Sequence, residues 1–438
     1  MDARSWLPVV LLALGSGCVH VQLPEAHIAS GEAQEELTWT RAVQLALAHH
    51  PDLRQARAAL EAKAHARNQA LGAYLPSVEG TVSRERTHPT APNASNALGL
   101  GLTVTQPLFS GFNITGEALQ AWREWEAARW ALVEQSAAVR QELRTAFAER
   151  LRLTNLLDVS RRIAKRRKDN AELLRLRYEA GRENEGSWHR AQAIADLAAF
   201  SVRQTERHIF SQSLVLGRHL GGSFSTAIAL AGDLEQMVPA EPLAPVDYAA
   251  LAEATPTVQR LTRSAEALKA AILSAQSTLW PTVNGTFDYG YSGTRPGDLA
   301  KDDAAIGLTV SVPLFHGGRH VQGLLESNAA YRAAVEAARS ARDERIATLS
   351  ADWAAFRDAW ELVAVRRAFL EAARQRAEIV RAQYTNGLVS FQDFDIAEQE
   401  LADSEQAHVQ SLADVLTREA GWVFATGGTL EDAVQHAK

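Results

Sequence analysis

Between Ala304 and Val312 the chain alternates without a break. Ile306, Leu308, Val310 and Val312 are apolar, and Gly307, Thr309 and Ser311 between them are small or polar. A period of two predicts a strand with one apolar face. Pro313 predicts its end, because proline has no N–H for a ladder. After the turn Leu314-Phe315-His316-Gly317-Gly318, the stretch Leu324 to Asn386 holds neither Gly nor Pro. Read as one helix, it would be roughly 95 Å long at about 1.5 Å per residue. The mean globular helix has about 11 residues. A strand long enough for a membrane feeding such a rod is the feature the rest of the chain must explain.

Taken in order, Thr38-Trp39-Thr40-Arg41 can cap a helix carrying Ala42, Val43, Leu45, Ala46 and Leu47. Pro51 suits the first turn of a second helix ending near Gly72. Ser77 to Arg86 reads as a strand, Thr87 to Ala97 as a polar loop, and Leu98, Leu100, Leu102 and Val104 mark a second strand ended by Pro107-Leu108-Phe109-Ser110-Gly111. Glu117 to Ala180 is again free of Gly and Pro, and Gly181 breaks it before a helix from about Ser187 to Leu220. In the second half Val283, Gly285, Phe287, Tyr289 and Tyr291 alternate with Thr282, Asn284, Thr286, Asp288 and Gly290, and Ser292 to Asp303 is a polar loop.

The second half therefore repeats the first. Pro51 matches Pro256 and Pro76 matches Pro281 at an offset of 205. Pro107-Leu108-Phe109 matches Pro313-Leu314-Phe315, and Tyr178-x-x-Gly181 matches Tyr384-x-x-Gly387, at an offset of 206. Constant spacing over many elements signals an internal repeat. The expected parts are residues 38–220 and 256–426, joined by a linker at 221–255, with an extension at 19–37 and a tail at 427–438. Strands are expected at about 77–86, 98–107, 282–292 and 304–313, and long helices at about 115–180 and 320–386. Tyr74, Phe109, Phe112, Trp280 and Phe315 cluster where helix gives way to strand, as in an aromatic girdle.

Four strands cross a bilayer but cannot close a barrel, and open edges in lipid leave backbone groups unpaired. The strands must be shared between chains. The polar faces are Gly, Thr, Ser and Asn, too small to fill an eight-stranded lumen, so twelve strands from three chains and an open pore fit better. Leu370, Ala373, Ala377, Val380 and Tyr384 follow coiled-coil spacing, with Arg366, Arg367, Glu371, Arg374 and Gln375 on the opposite face. Six long helices and six built of shorter pieces could form a hollow cylinder beneath the barrel.

Composition narrows the class. Net charge is −7, from 45 basic and 52 acidic residues, which argues against nucleic acid as a partner. No apolar run reaches the roughly 18 residues of a spanning helix. One cysteine excludes an internal disulfide and a cysteine metal cluster. Residues 1–18 read as a secretory signal: Arg4, an apolar core from Leu7 to Leu14, then Gly15-Ser16-Gly17-Cys18. Cys18 stands where a bacterial lipoprotein signal places its lipidated cysteine, although Gly15 holds a position usually aliphatic. The alternative is an ordinary signal and an idle thiol.

The twin Pro-Leu-Phe-x-Gly turns (Pro107, Phe109 and Gly111; Pro313, Phe315 and Gly317), the twin Tyr-x-x-Gly breaks and Gly387-Leu388-Val389-Ser390-Phe391-Gln392-Asp393 resemble the TolC-like outer membrane efflux proteins of Gram-negative bacteria. The resemblance implies a mainly α fold with a β-barrel: a homotrimer with a twelve-stranded barrel in outer membrane lipid and a long periplasmic α-barrel. It implies the exit duct of a tripartite efflux pump or type I secretion system, reached through a periplasmic adaptor from an inner-membrane RND or ABC pump, with no cofactor.

The same resemblance marks a gate. Asp393 matches an aspartate at the closed periplasmic end, where three copies would form a carboxylate ring. Ile396 holds the place of a second, with Asp395 one residue early. Two readings stand for Asp393, the ring and a helix N-cap. Tyr384 matches a tyrosine that ties the inner hairpin shut, with Val389 in place of that latch's arginine; helix packing is the alternative. Gly181 and Gly387 should end helices in the left-handed conformation and form the tips that adaptors grip. The run Arg161 to Lys168 is either a solvated face or an adaptor contact. His316 and His320 are four apart, but Gly317-Gly318 disfavours a helix that would bring them to one metal. No catalytic constellation appears. The competing functions are a periplasmic coiled-coil adaptor or spacer, and an exported enzyme whose site is nowhere visible.

Overall fold

A computed structural model of the chain describes residues 36–86, 96–222, 229–241, 247–293 and 301–435. The expected signal with Cys18 and much of both polar loops lie outside the described residues. α1 spans Trp39–His49 and α2 Pro51–Gly72. The Thr38 hydroxyl caps α1 by accepting from the Arg41 amide, and Pro51 opens α2, where its missing N–H has no consequence. Strands β1 (Ser77–Arg86) and β2 (Asn96–Phe109) follow, then the long α3 (Asn113–Glu179) and α4 (Glu185–His219). The second repeat comprises α5 (Tyr248–Ala254), α6 (Pro256–Ser277), β3 (Thr282–Gly293), β4 (Lys301–Ser311), α7 (Arg319–Thr385) and α8 (Phe391–Ala425), and α9 (Leu430–Gln435) closes the chain.

The four strands form one antiparallel sheet in the order β1-β2-β3-β4. Its register collects the apolar positions on one face. Val78 stands beside Val104, Val104 beside Phe287, and Phe287 beside Ile306. On one side the next row holds Gly80, Leu102, Tyr289 and Ala304 and the one beyond it Val82, Leu100 and Tyr291; on the other side lies Gly285 with Leu308. In the single chain this face is open: Ile306 is 87% exposed, and Val78, Val82 and Leu308 are also exposed. The other face is small and polar, with Thr103 donating to the Asp288 carboxylate at 2.7 Å.

Two boundaries differ from expectation. Pro107 does not end β2; it pairs with Asn284, and after a bulge at Leu108 the strand reaches Phe109 opposite Val283. β1 has already ended at Ser77 opposite Thr105, so no neighbour on that side needs the missing N–H of Pro107. The loop between β3 and β4 is shorter than its polar sequence suggested, because Ser292 still pairs with Lys301. Pro313 does lie beyond its strand, and Gly111 and Gly317 turn with φ of +60° and +65°. Phe112 adopts φ +74°, where its counterpart in the second repeat is Gly318. Edge-to-face contacts with Phe109 and Trp280 hold it in that left-handed conformation.

The helices build a second, buried layer. Ala42, Val43, Leu143, Phe147, Leu216, Leu412 and Leu416 join one core at the waist, where α1, α3, α4 and α8 meet. The linker contributes Leu234 to that core, and a bridge pairs Leu37 with Leu230. Along α7 the coiled-coil positions Leu370, Ala377 and Tyr384 are buried, with Ala373 and Val380 packed beside them.

Candidate functional site at the hairpin tips

The two helical hairpins end side by side. The first tip joins α3 to α4 through Gly181, and the second joins α7 to α8 through Gly387. Both glycines are left-handed, with φ of +70° and +75°. In each, the amide after the glycine bonds back to the carbonyl five residues earlier: Arg182 to Arg177 at 2.8 Å, Leu388 to Gln383 at 2.9 Å. The glycine amides bond to Tyr178 and Tyr384 at 2.9 Å. This is the Schellman closure that the Tyr-x-x-Gly breaks predicted. Each tyrosine then stacks on an aromatic of the returning helix: Tyr384 on Phe394 at 4.8 Å, Tyr178 on Trp188 at 5.4 Å.

Tyr384 also crosses to the other hairpin. Its hydroxyl donates to Glu183 at 2.9 Å, its carbonyl accepts from Arg177 at 2.6 Å, and the Arg177 guanidinium lies 4.5 Å above its ring. Burial, with Glu183 as acceptor, raises the hydroxyl above the ordinary tyrosine value. The stack of Tyr384 on Phe394 and its bonds to Glu183 and Arg177 of the other hairpin are thus one arrangement.

Asp393 is not the N-cap. Ser390 is, accepting from the Asp393 amide at 3.2 Å, while the Asp393 carboxylate accepts from the Ser390 hydroxyl at 2.6 Å and the Ser390 amide at 3.3 Å. That capping box is Ser-x-x-Asp rather than a lone aspartate. The two bonds from Ser390 hold the Asp393 carboxyl below its ordinary value, and the side chain stays exposed at the tip.

Asp395 differs from expectation. It points into the molecule and is buried, bound to Arg167 at 3.1 Å and Arg190 at 3.0 Å. It offers no open carboxylate for a second ring. Arg167 also donates to Gln399 at 2.8 Å, and Arg166 binds Glu405 at 2.6 Å and lies 3.7 Å from Glu398. Arg381 closes on the same Glu398 at 2.6 Å. The basic run is therefore split. Arg161, Arg162, Lys165 and Lys168 face solvent, whereas Arg166 and Arg167 zip α3 to α8. Higher up the same seam, Arg144 binds Glu419 at 2.9 Å.

His316 and His320 do approach, ring centres 4.5 Å apart, despite the intervening glycines. Among the described residues no group of three or more His, Cys, Asp or Glu is placed to hold a metal, and no helix is long and apolar enough to cross a membrane.

This architecture has known relatives. A family model described as outer membrane efflux protein matches residues 42–215 and 248–428, one match on each repeat. The chain belongs to the outer membrane efflux protein family. The solved outer membrane protein VceC of Vibrio cholerae superposes with a TM-score of 0.78 at 21% identity, covering 89% of this chain and 96% of that one. The open state of the MtrE outer membrane channel of Neisseria gonorrhoeae gives a TM-score of 0.82 at 17% identity, over 95% of this chain and 98% of that one. A CusC structure gives 0.82 at 13% identity, over 92% and 99%. No curated protein sequence is significantly similar to this chain. Membership places this efflux protein in the outer membrane with its helices in the periplasm, and makes it a channel rather than a periplasmic spacer.

Proposed function

We propose that three copies of this outer membrane efflux protein join head to tail into one conduit, twelve strands in lipid above twelve helical columns. One observation carries the proposal. The four-stranded sheet has a continuous apolar face and two unpaired edges, β1 and β4. Each unpaired backbone group in hydrocarbon costs several kcal/mol, so the edges need β strands of other copies. The helices repeat the demand. α3 of the first repeat packs on α6 of the second, yet no comparable contact joins α7 to α2. A Cβ at Gly111 would collide with Ser277 and Trp280, whereas one at its counterpart Gly317 would meet nothing. A neighbouring copy's α2 and its foot, Gly72 to Leu75, fill that seat.

In this reading Asp393, exposed on each chain, forms a carboxylate ring at the periplasmic mouth that favours cations. Tyr384 and the buried Asp395 keep the hairpins beneath it in register. Gly181 and Gly387 shape the tips offered to a periplasmic adaptor, which links the duct to an inner-membrane pump of the RND or ABC class. The foot turns at Phe109, Gly111, Phe315 and Gly317 set the barrel on its stalk, and Cys18 carries a lipid that anchors the mature chain. Ion selectivity in planar bilayers tests the ring: Asp393→Asn should shift the reversal potential away from cation preference, and an unchanged potential rejects it. Labelling with a fatty-acid analogue tests Cys18: label should vanish in Cys18→Ser.

A further inference from the structure

The two turns that lead from strand into long helix share a backbone and differ in side chains. Between β2 and α3 the Asn113 amide bonds back to the Ser110 carbonyl at 3.1 Å; between β4 and α7 the Arg319 amide bonds to the His316 carbonyl at 3.2 Å. The first turn is well held. The Ser110 hydroxyl accepts from the Ile114 amide at 3.3 Å, and Phe112 packs edge-on against Phe109 and Trp280. At the repeat offset Ser110 and Ile114 become His316 and His320, and Phe112 becomes Gly318. The second turn therefore has neither the hydroxyl bond nor the aromatic plug. A Cβ at Gly317 or Gly318 would meet nothing, and Leu314 and Phe315 are exposed.

In their place stands a pair of imidazoles. Gly317 and Gly318 are both left-handed, with φ of +65° and +78°, and fold His316 back towards His320 in the first turn of α7. The ring centres lie 4.5 Å apart, with the planes at 72°. Two imidazoles in adjacent positions on one cation, each with nitrogen at about 2.0–2.1 Å, place their ring centres roughly 4.5–5 Å apart. The Nε2 of His320 is buried and has no hydrogen-bond partner among the described residues, while His316 is exposed. A buried polar atom without a partner calls for an explanation, and an ion at that nitrogen supplies one.

We infer that His316 and His320 bind one divalent transition-metal ion, of the Zn²⁺, Ni²⁺ or Cu²⁺ class, as a staple across the turn between β4 and α7. Imidazole nitrogen suits these ions, whereas Ca²⁺ and Mg²⁺ take oxygen. Both rings come from one chain, water takes the remaining positions, and the site does not depend on how copies assemble. The positive end of α7 opposes any cation, and the same field keeps both rings neutral, the form that ligates. A metal offsets that opposition with two coordinate bonds; a proton has one ring to bind. The ion does for this turn what the Ser110 bond and the Phe112 packing do for the other.

The test uses full-length protein in detergent, purified through a tag without histidine, with Cu²⁺ as the probe. Calorimetric titration should find one tight site per chain, and electron paramagnetic resonance should show splitting by two nitrogens. His316→Ala and His320→Ala should each weaken that site by at least the roughly tenfold that loss of an outer partner costs. His65→Ala, on an exposed stretch of α2, should leave it unchanged. With free Zn²⁺ at about ten times its dissociation constant, amide exchange at residues 314–320 should slow about tenfold. His316→Ser with His320→Ile installs the residues of the first turn, which closes without metal. That variant should fold, lose the tight site, and exchange at the turn at a rate indifferent to Zn²⁺. Tight binding that survives both alanine variants overturns the inference, as does a parent chain without a tight site or with turn exchange unmoved by Zn²⁺.

Discussion

Tyr384, in the last turn of α7, gives its hydroxyl proton to Glu183 of the other hairpin at 2.9 Å. The two residues lie 201 positions apart and belong to different repeats. That bond fixes the tip of one hairpin against the tip of the other. Tyr384→Phe keeps the stack on Phe394 and removes only the bond. The loss should be roughly 1.5 kcal/mol, the low end for a hydrogen bond to a charged group, because Glu183 is half-exposed. Thermal unfolding should show it, and proteolysis at the tips should quicken. Unaltered stability and cleavage would mean that the bond does not hold the tips.

Asp395 has two cations around it and almost no water. Asp395→Ala leaves Arg167 buried beside Gln399 alone, and should destabilise the chain by about 3–5 kcal/mol. The double variant Arg167→Met with Asp395→Leu removes both charges and should recover most of that loss. Denaturant unfolding of the two variants compares them. A double variant as unstable as the single would show that lost packing, not an orphaned charge, dominates.

The sheet faces should tolerate charge differently. Ile306→Arg places a cation on the apolar face, at a cost of about 2–4 kcal/mol if the position lies near the bilayer midplane. Thr309→Arg places it on the polar face and should assemble normally. The amount of protein reaching the outer membrane distinguishes them, and equal amounts would contradict the assignment of faces.

The waist carries a pH response. His50 caps α2 by accepting from the Asp52 amide at 3.2 Å, and its ring stacks on His219, centres 6.1 Å apart. Burial holds both imidazoles below the ordinary histidine value; Asp52 and Glu142 oppose that shift, and Arg218 adds to it. The unfolded chain thus takes up protons first. Stability is complete above the ordinary value of about 6.5 and falls as pH drops below it. Tm should decline from pH 8 to pH 5. His50→Asn keeps a capping acceptor without a proton to gain, and should flatten the decline. An identical slope would place the titration elsewhere.

Much of this architecture was legible in the sequence, for identifiable reasons. Alternation in Ile306 to Val312 and the Gly-free, Pro-free rods are local patterns that tertiary contacts did not override. The repeat was legible because turns demand particular residues: a left-handed helix end requires something like Gly181 or Gly387. The ion-pair seam was not. Arg167 and Asp395 are 228 residues apart, and nothing local separates the arginine that turns inward from Arg161 or Lys165 beside it. The capping box was legible in Ser390-Phe391-Gln392-Asp393, because a serine three residues before an acid is a local signature in which the serine, not the acid, is the N-cap. Pro107 misled because its effect depends on whether a neighbouring strand is present at that level.

The central claim is that the sheet of one chain is a fraction of a barrel. Native mass spectrometry of the full-length protein, released from detergent micelles, measures it directly. The account predicts a complex of three chains that conducts when added to a planar bilayer and that requires detergent to leave the membrane fraction. A single chain, stable in water without detergent, would contradict it.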